Sequence, residues 1–127
     1  MIGTPTNGND TAIFDVPNTH VIGYAAPSRG STELCLWRID IAPGSTSPLH
    51  HMDCEEVFLC LDGRAVVETS AEERLLQAGD CLVLAPGTDF SFQVVGDEPF
   101  RALACIRAGG KPTLAGSGDT FVPPWTA

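Results

Sequence analysis

Basic residues are scarce in this chain. Seven Lys and Arg stand against sixteen Asp and Glu, a formal charge of −9 at pH 7. A phosphate backbone or an anionic bilayer repels such a surface, which argues against nucleic acid and membrane as partners. Long apolar runs are missing too: no stretch approaches the roughly 20 residues that cross a bilayer. The opening segment, Met1 to Asp10, has neither the basic start nor the apolar centre of a secretory leader, so none is expected. Asn9-Asp10-Thr11 matches a glycosylation acceptor, a match that carries little meaning without secretion. CxxC pairs are absent, and the cysteines (Cys35, Cys54, Cys60, Cys81, Cys105) are odd in number and scattered. Neither a zinc knuckle nor a disulfide framework is indicated. Four of them lie within apolar runs and read as reduced, packed thiols of a cytoplasmic protein. Sustained 3.6-residue periodicity and internal repeats are absent as well.

What is present is turn chemistry and short alternation. Thirteen Gly and ten Pro in 127 residues favour many short elements over long helices. Leu34 to Ile41 alternates strictly, with Trp37, Ile39 and Ile41 apolar and Arg38 and Asp40 polar, which predicts a strand. Val57 to Leu61 is apolar on both parities, as for a strand covered on both faces. Asp62-Gly63 then predicts a hairpin, with Arg64 to Thr69 as its return strand. Further strands are predicted over Glu72 to Leu76, Cys81 to Leu84, Phe90 to Val94 and Phe100 to Ile106, and an earlier apolar stretch over His20 to Ala25. Pro27 to Ser31 reads as a loop. Turn signals every eight to twelve residues point to an all-β sandwich or barrel of one domain. Residues 1–19 form an N-terminal arm and first edge segment, 20–107 the barrel, and 108–127 an extended tail held on it by Phe121 and Trp125.

The stretch from Gly44 to Gly63 resembles the first cupin motif: Gly, five residues, His-x-His, three or four residues, Glu, six residues, Gly. Here the five-residue gap runs from Gly44 to His50, the three-residue gap from Met52 to Glu56 and the six-residue gap from Glu56 to Gly63. Gly79-Asp80 to Pro86-Gly87 resembles the second motif, which closes just before a His. The resemblance implies a cupin jelly-roll barrel, often dimeric, with a site in its mouth. Relatives bind a divalent metal through two His and a Glu of the first motif and a His of the second. They include dioxygenases, isomerases, cyclases, lyases and sugar-binding sensors, so the family alone does not give a reaction.

The ligand positions are only half filled. His50 and Glu56 match, but Met52 stands at the second His position and Phe90 at that of the second motif. A thioether is a soft donor and a phenyl ring does not ligate, so a hard divalent ion finds too few partners. No cofactor is therefore expected; if a metal is present, its ligands are His50, Glu56 and His51. Strand parity turns His51 away from His50 unless a bulge re-aims it. Parity also groups His50, Met52 and Cys54, a soft set suited to copper(I). Cys54 as a nucleophile is set against a simply packed thiol.

The remaining pattern predicts an apolar, aromatic cup. His50 and Glu56 are the candidate catalytic pair, and Met52, Phe58, Cys60, Phe90, Phe92 and Tyr24 the candidate substrate-binding residues. A carboxylate in low dielectric has a raised pKa, and a nearby carboxylate stabilises imidazolium. Such a couple serves metal-independent acid–base chemistry on a small metabolite, by dehydration, isomerisation, elimination or cyclisation, as a lyase or isomerase. Two alternatives stay open: a metal-dependent enzyme (dioxygenase or isomerase) with an incomplete ligand set, and a non-catalytic barrel that binds or senses a small molecule. A cytoplasmic homodimer is expected.

Overall fold

The computed structural model describes residues 2–5 and 12–127; the rest of the expected N-terminal arm, with Asn9-Asp10-Thr11, lies outside them. Two antiparallel layers face each other. The first contains six strands in the order β1 (Ala12–Val16), β2 (Thr19–Ala25), β3 (Leu34–Ile41), β10 (Phe100–Arg107), β5 (Glu56–Asp62) and β8 (Cys81–Leu84). The second is built from β7 (Glu73–Gln77), β6 (Arg64–Glu68) and β9 (Ser91–Val95), with β4 (His50–Met52) and β11 (Pro112–Leu114) paired beside them. Single bridges, Thr46 to Gln93 and His50 to Phe90, join β4 and its approach to the β9 side. The result is a jelly roll, as the resemblance implies; the spacing of turns predicts only a sandwich or barrel.

The core follows from parity. Cys35, Trp37, Ile39 and Ile41 of β3 point inward, as do Phe100, Ala102, Ala104 and Ile106 of β10. They meet Ala65 and Val67 of β6 and Phe92 and Val94 of β9 from the other layer. Removing each large side chain from water contributes roughly 1.5–3 kcal/mol, so this inner face dominates the fold's stability.

Three expectations are corrected. Asp62-Gly63 does not close a hairpin: β5 already pairs with β10 on one edge and β8 on the other, so β6 has no free edge to join. The chain instead crosses to the second layer, where β6 pairs with β7 and β9. Gly63 is the corner, at φ 73°, and a Cβ there would overlap the Pro99 carbonyl. β5 is also not covered on both faces, since Leu59 is exposed and Val57 and Leu61 are half-buried on the outer surface. Pro27–Arg29, read as loop, forms one 3-10 turn, because Pro27 fixes φ at its start and Gly30 takes φ 87° at its end. No helix among the described residues is long and apolar enough to cross a membrane.

Candidate functional site

The site is assembled where the approach to β4 meets the chain entering β9. The Ser47 N–H donates to the Phe92 carbonyl (2.8 Å), and the Phe92 N–H donates to Ser47 Oγ (2.7 Å). His50 and Phe90 exchange backbone hydrogen bonds of 3.2 and 2.8 Å. The Gly87 N–H donates to the Met52 carbonyl (2.8 Å). These bonds bring the two sequence motifs side by side and hold Met52 and Phe90 on the inner wall.

A cavity of about 420 Å³ opens between the layers. His50, Met52, Glu56, Phe58, Phe90 and Phe92 all line it. The three phenylalanines pack edge to face, with centroids 5.0 Å (Phe58–Phe92), 5.7 Å (Phe90–Phe92) and 5.9 Å (Phe58–Phe90) apart. A second, more open groove of about 550 Å³ lies near Gly63, Arg64 and Asp97. It contains no buried titratable group and is not the site.

Two titratable side chains reach the apolar cavity. Glu56 opens β5 on the inward parity and is 3% exposed. Its Oε1 is buried without a hydrogen-bond partner, and burial pushes its pKa up to about 8. His50 Nδ1 lies 2.8 Å from the Pro48 carbonyl. A carbonyl only accepts, so Nδ1 carries the proton and Nε2 keeps the lone pair. Burial lowers the His50 pKa, outweighing the opposing pull of the Pro48 carbonyl and of Asp89. The expected stabilisation of imidazolium by Glu56 is corrected here: burial keeps Glu56 itself protonated, so it offers His50 no opposing charge, and desolvation prevails. At neutral pH the cavity thus holds a carboxylic acid and a neutral imidazole.

The other candidates stand elsewhere. His51 faces away from the cavity, and its Nδ1 donates to Asp89 Oδ1 (2.8 Å), as parity requires. Tyr24 lies on β2 on the parity opposite to Thr19 and Val21, which do line the cavity. Cys60 is buried on the inward face, but its thiol lies 3.6 and 3.7 Å from the Asp62 and Gly63 carbonyls, at the turn end of β5. Cys54 is buried against Gly110 and Ile106 and outside the cavity lining, so His50, Met52 and Cys54 do not converge. Burial raises the Cys54 pKa above that of a free thiol, the reverse of an activated nucleophile.

The side chains present do not fit the family's hard divalent ion. Two donors, His50 and Glu56, face a thioether and a phenyl ring at the remaining positions. Phe90 places its ring centroid 4.4 Å from that of His50, filling the space beside the imidazole. Among the described residues no group of three His, Cys, Asp or Glu side chains could hold a metal.

Several lining residues escape a motif-based reading. Trp37 and Ile39 line the cavity, and the alternation of β3 was the signal for them. Phe121, Trp125 and Thr126 also form part of its wall. The Arg29 guanidinium donates to the Trp125 carbonyl (2.6 Å), and Trp125 packs 6.0 Å from Phe14. No periodicity in the tail announces that placement.

The cupin domain family matches residues 37–106, more than half of the sequence, and the chain belongs to that family. An uncharacterized protein of Methanocaldococcus jannaschii is 30% identical over 63 residues, covering 49% of this chain and 50% of that protein, so the match spans about half of that relative. Among solved structures, the DMSP lyase DddQ from Ruegeria pomeroyi is similar at a TM-score of 0.63 and 26% identity, covering 70% of this chain and 47% of that one. The polyketide cyclase RemF from Streptomyces resistomycificus has a TM-score of 0.74 at 14% identity, covering 97% of this chain and 89% of that one, a likeness of fold.

Proposed function

We propose that this cupin acts on a small metabolite in the cavity by metal-independent proton transfer, with Glu56 as the acid and His50 as the base. The observation that carries this reading is that the two titratable groups lining an otherwise apolar cavity are Glu56, buried without a hydrogen-bond partner, and His50, with Nε2 free to accept. Efficient acid–base catalysis needs an acid still protonated and a base still unprotonated at the working pH. Burial favours both of those forms here.

The simplest step that balances is enolisation. His50 Nε2 takes a proton from the carbon next to a carbonyl, the C–H pair forms the new C=C bond, and Glu56 gives its proton to the carbonyl oxygen. Returning the protons elsewhere gives isomerisation. Expelling a β-hydroxyl as water gives dehydration, and attack of the enol carbon on a second carbonyl gives cyclisation. A lyase and a cyclase stand among the structural neighbours, which supports this range of reactions without choosing within it. The reading includes a cytoplasmic location, in keeping with five free cysteines. It also includes a homodimer, supported by the uncovered apolar outer face that bears Leu34, Leu59 and Val83.

Deuterium exchange tests the reading. With 2-tetralone as an enolisable probe in D2O, wild-type protein is expected to accelerate loss of the α-proton NMR signal. His50→Ala and Glu56→Gln should each lower that acceleration about 100-fold or more. Equal rates in all three proteins would return the cavity to a purely binding role.

A further inference from the structure

The cavity wall is more selective than its size suggests. Neither Lys nor Arg lines it, so no cation offsets the cost of bringing a carboxylate or phosphate out of water. Trp37, Phe58, Phe90, Phe92, Phe121 and Trp125 supply ring edges and faces instead. Such walls suit a flat conjugated molecule, because aromatic pairs gain from offset and edge-to-face contact. One polar demand is left open: Glu56, 3% exposed, has an oxygen without a hydrogen-bond partner. An orphaned polar atom of that kind is destabilising, and a ligand group that bonds to it recovers the loss. The volume of about 420 Å³ equals that of about fourteen waters in the liquid, enough for two fused rings and one or two substituents.

We propose that the site selects an uncharged, planar, two-ring aromatic or conjugated substrate whose hydroxyl or carbonyl oxygen bonds to Glu56, and that it rejects the corresponding anions. This names the substrate class of the site proposed above and rests on that reading for its chemistry, though not for its binding. Walls without a cationic side chain are what separate this substrate class from sugar acids and phosphorylated metabolites.

Binding of three probes to the full chain tests the proposal: 2-naphthol, 2-naphthoate and naphthalene at pH 7, followed by the fluorescence of Trp37 and Trp125. We expect 2-naphthol to bind at least tenfold more tightly than 2-naphthoate, which is ionised at this pH, and more tightly than naphthalene, which has no oxygen for Glu56. Phe121 is 42% exposed at the rim, so Phe121→Arg should fold normally. A cation there should tighten 2-naphthoate binding about threefold or more, a shift that screening by salt reduces. Equal affinity for 2-naphthol and 2-naphthoate, no binding of 2-naphthol, or no response to Phe121→Arg would each overturn the substrate class. Preferred 2-naphthol binding together with deuterium exchange unaffected by His50→Ala would leave the substrate class standing and remove the catalytic reading.

Discussion

His50 and Phe90 are locked together twice: their backbones exchange hydrogen bonds of 2.8 and 3.2 Å, and their rings lie 4.4 Å apart. Relatives that carry imidazole at both positions point two donors at one metal. Here the second is a phenyl ring, which turns the neighbourhood of His50 apolar and helps keep the imidazole neutral. The same contact that identifies the family position also explains why the position has lost its usual chemistry.

The donor set gives a direct prediction. Met52→His with Phe90→His restores four potential ligands around His50 and Glu56, and the double variant is expected to bind Mn or Zn at least tenfold more tightly than wild type by calorimetric titration. Unchanged affinity would mean that the four side chains do not converge.

Stability should depend on pH through Glu56 in a defined direction. The unfolded carboxyl titrates near 4.5 and the folded one near 8. Below the lower value both states hold the proton. Between them only the folded chain does, so stability falls as pH rises and the loss levels off above the folded pKa, with a ceiling of roughly 5 kcal/mol. Glu56→Gln has no proton to lose, so above pH 8 it should be about 1 kcal/mol or more stabler than wild type in urea unfolding. His50 acts at the other end: its lowered pKa makes stability fall as pH drops below the ordinary imidazole value of 6.5, a loss that His50→Gln removes.

Gly63 shows where local sequence signals were overruled. Asp62-Gly63 between apolar runs is a strong hairpin pattern, and the two runs are indeed strands, but both edges of β5 are taken by β8 and β10. Long-range pairing decided the topology, and short-range preference decided only that the chain turns there. Gly63→Ala forces a side chain into φ 73° and against the Pro99 carbonyl. The positive φ alone costs about 1–2 kcal/mol, and the overlap adds to it, so thermal unfolding should drop by several degrees for a domain of this size.

Much of the site was legible because strand parity and motif spacing are local. Glu56 and Phe58 share a face by counting, and the gap from Gly44 to His50 reports a turn and a strand start. What was not legible depends on the third dimension. Tyr24 has the right neighbours in sequence but the wrong parity, and Cys60 has the right parity but lies too far toward the turn. The wall from Phe121 to Thr126 could not be placed because an irregular Pro-rich tail carries no period. The protonation of the pair was not legible either: burial holds both groups in their uncharged forms, and how deeply each is buried is set by the fold and not by motif spacing.

The outer face of the six-stranded layer supplies a prediction on assembly. Leu59 and Val83 are exposed apolar residues on adjacent strands, β5 and β8. If the face is covered by a second copy, Leu59→Arg with Val83→Arg should convert a dimer into a monomer by light scattering, with the fold intact by circular dichroism.

The acid–base pair depends on one proton, that of Glu56, and difference infrared spectroscopy of wild type against Glu56→Gln observes it. At pH 7 we predict the C=O stretch of a protonated carboxylic acid, present in wild type, absent from the variant, and fading only as pH rises through about 8. A carboxylate band already present at pH 7 and titrating near 4.5 would contradict the account, leaving His50 without its acid partner.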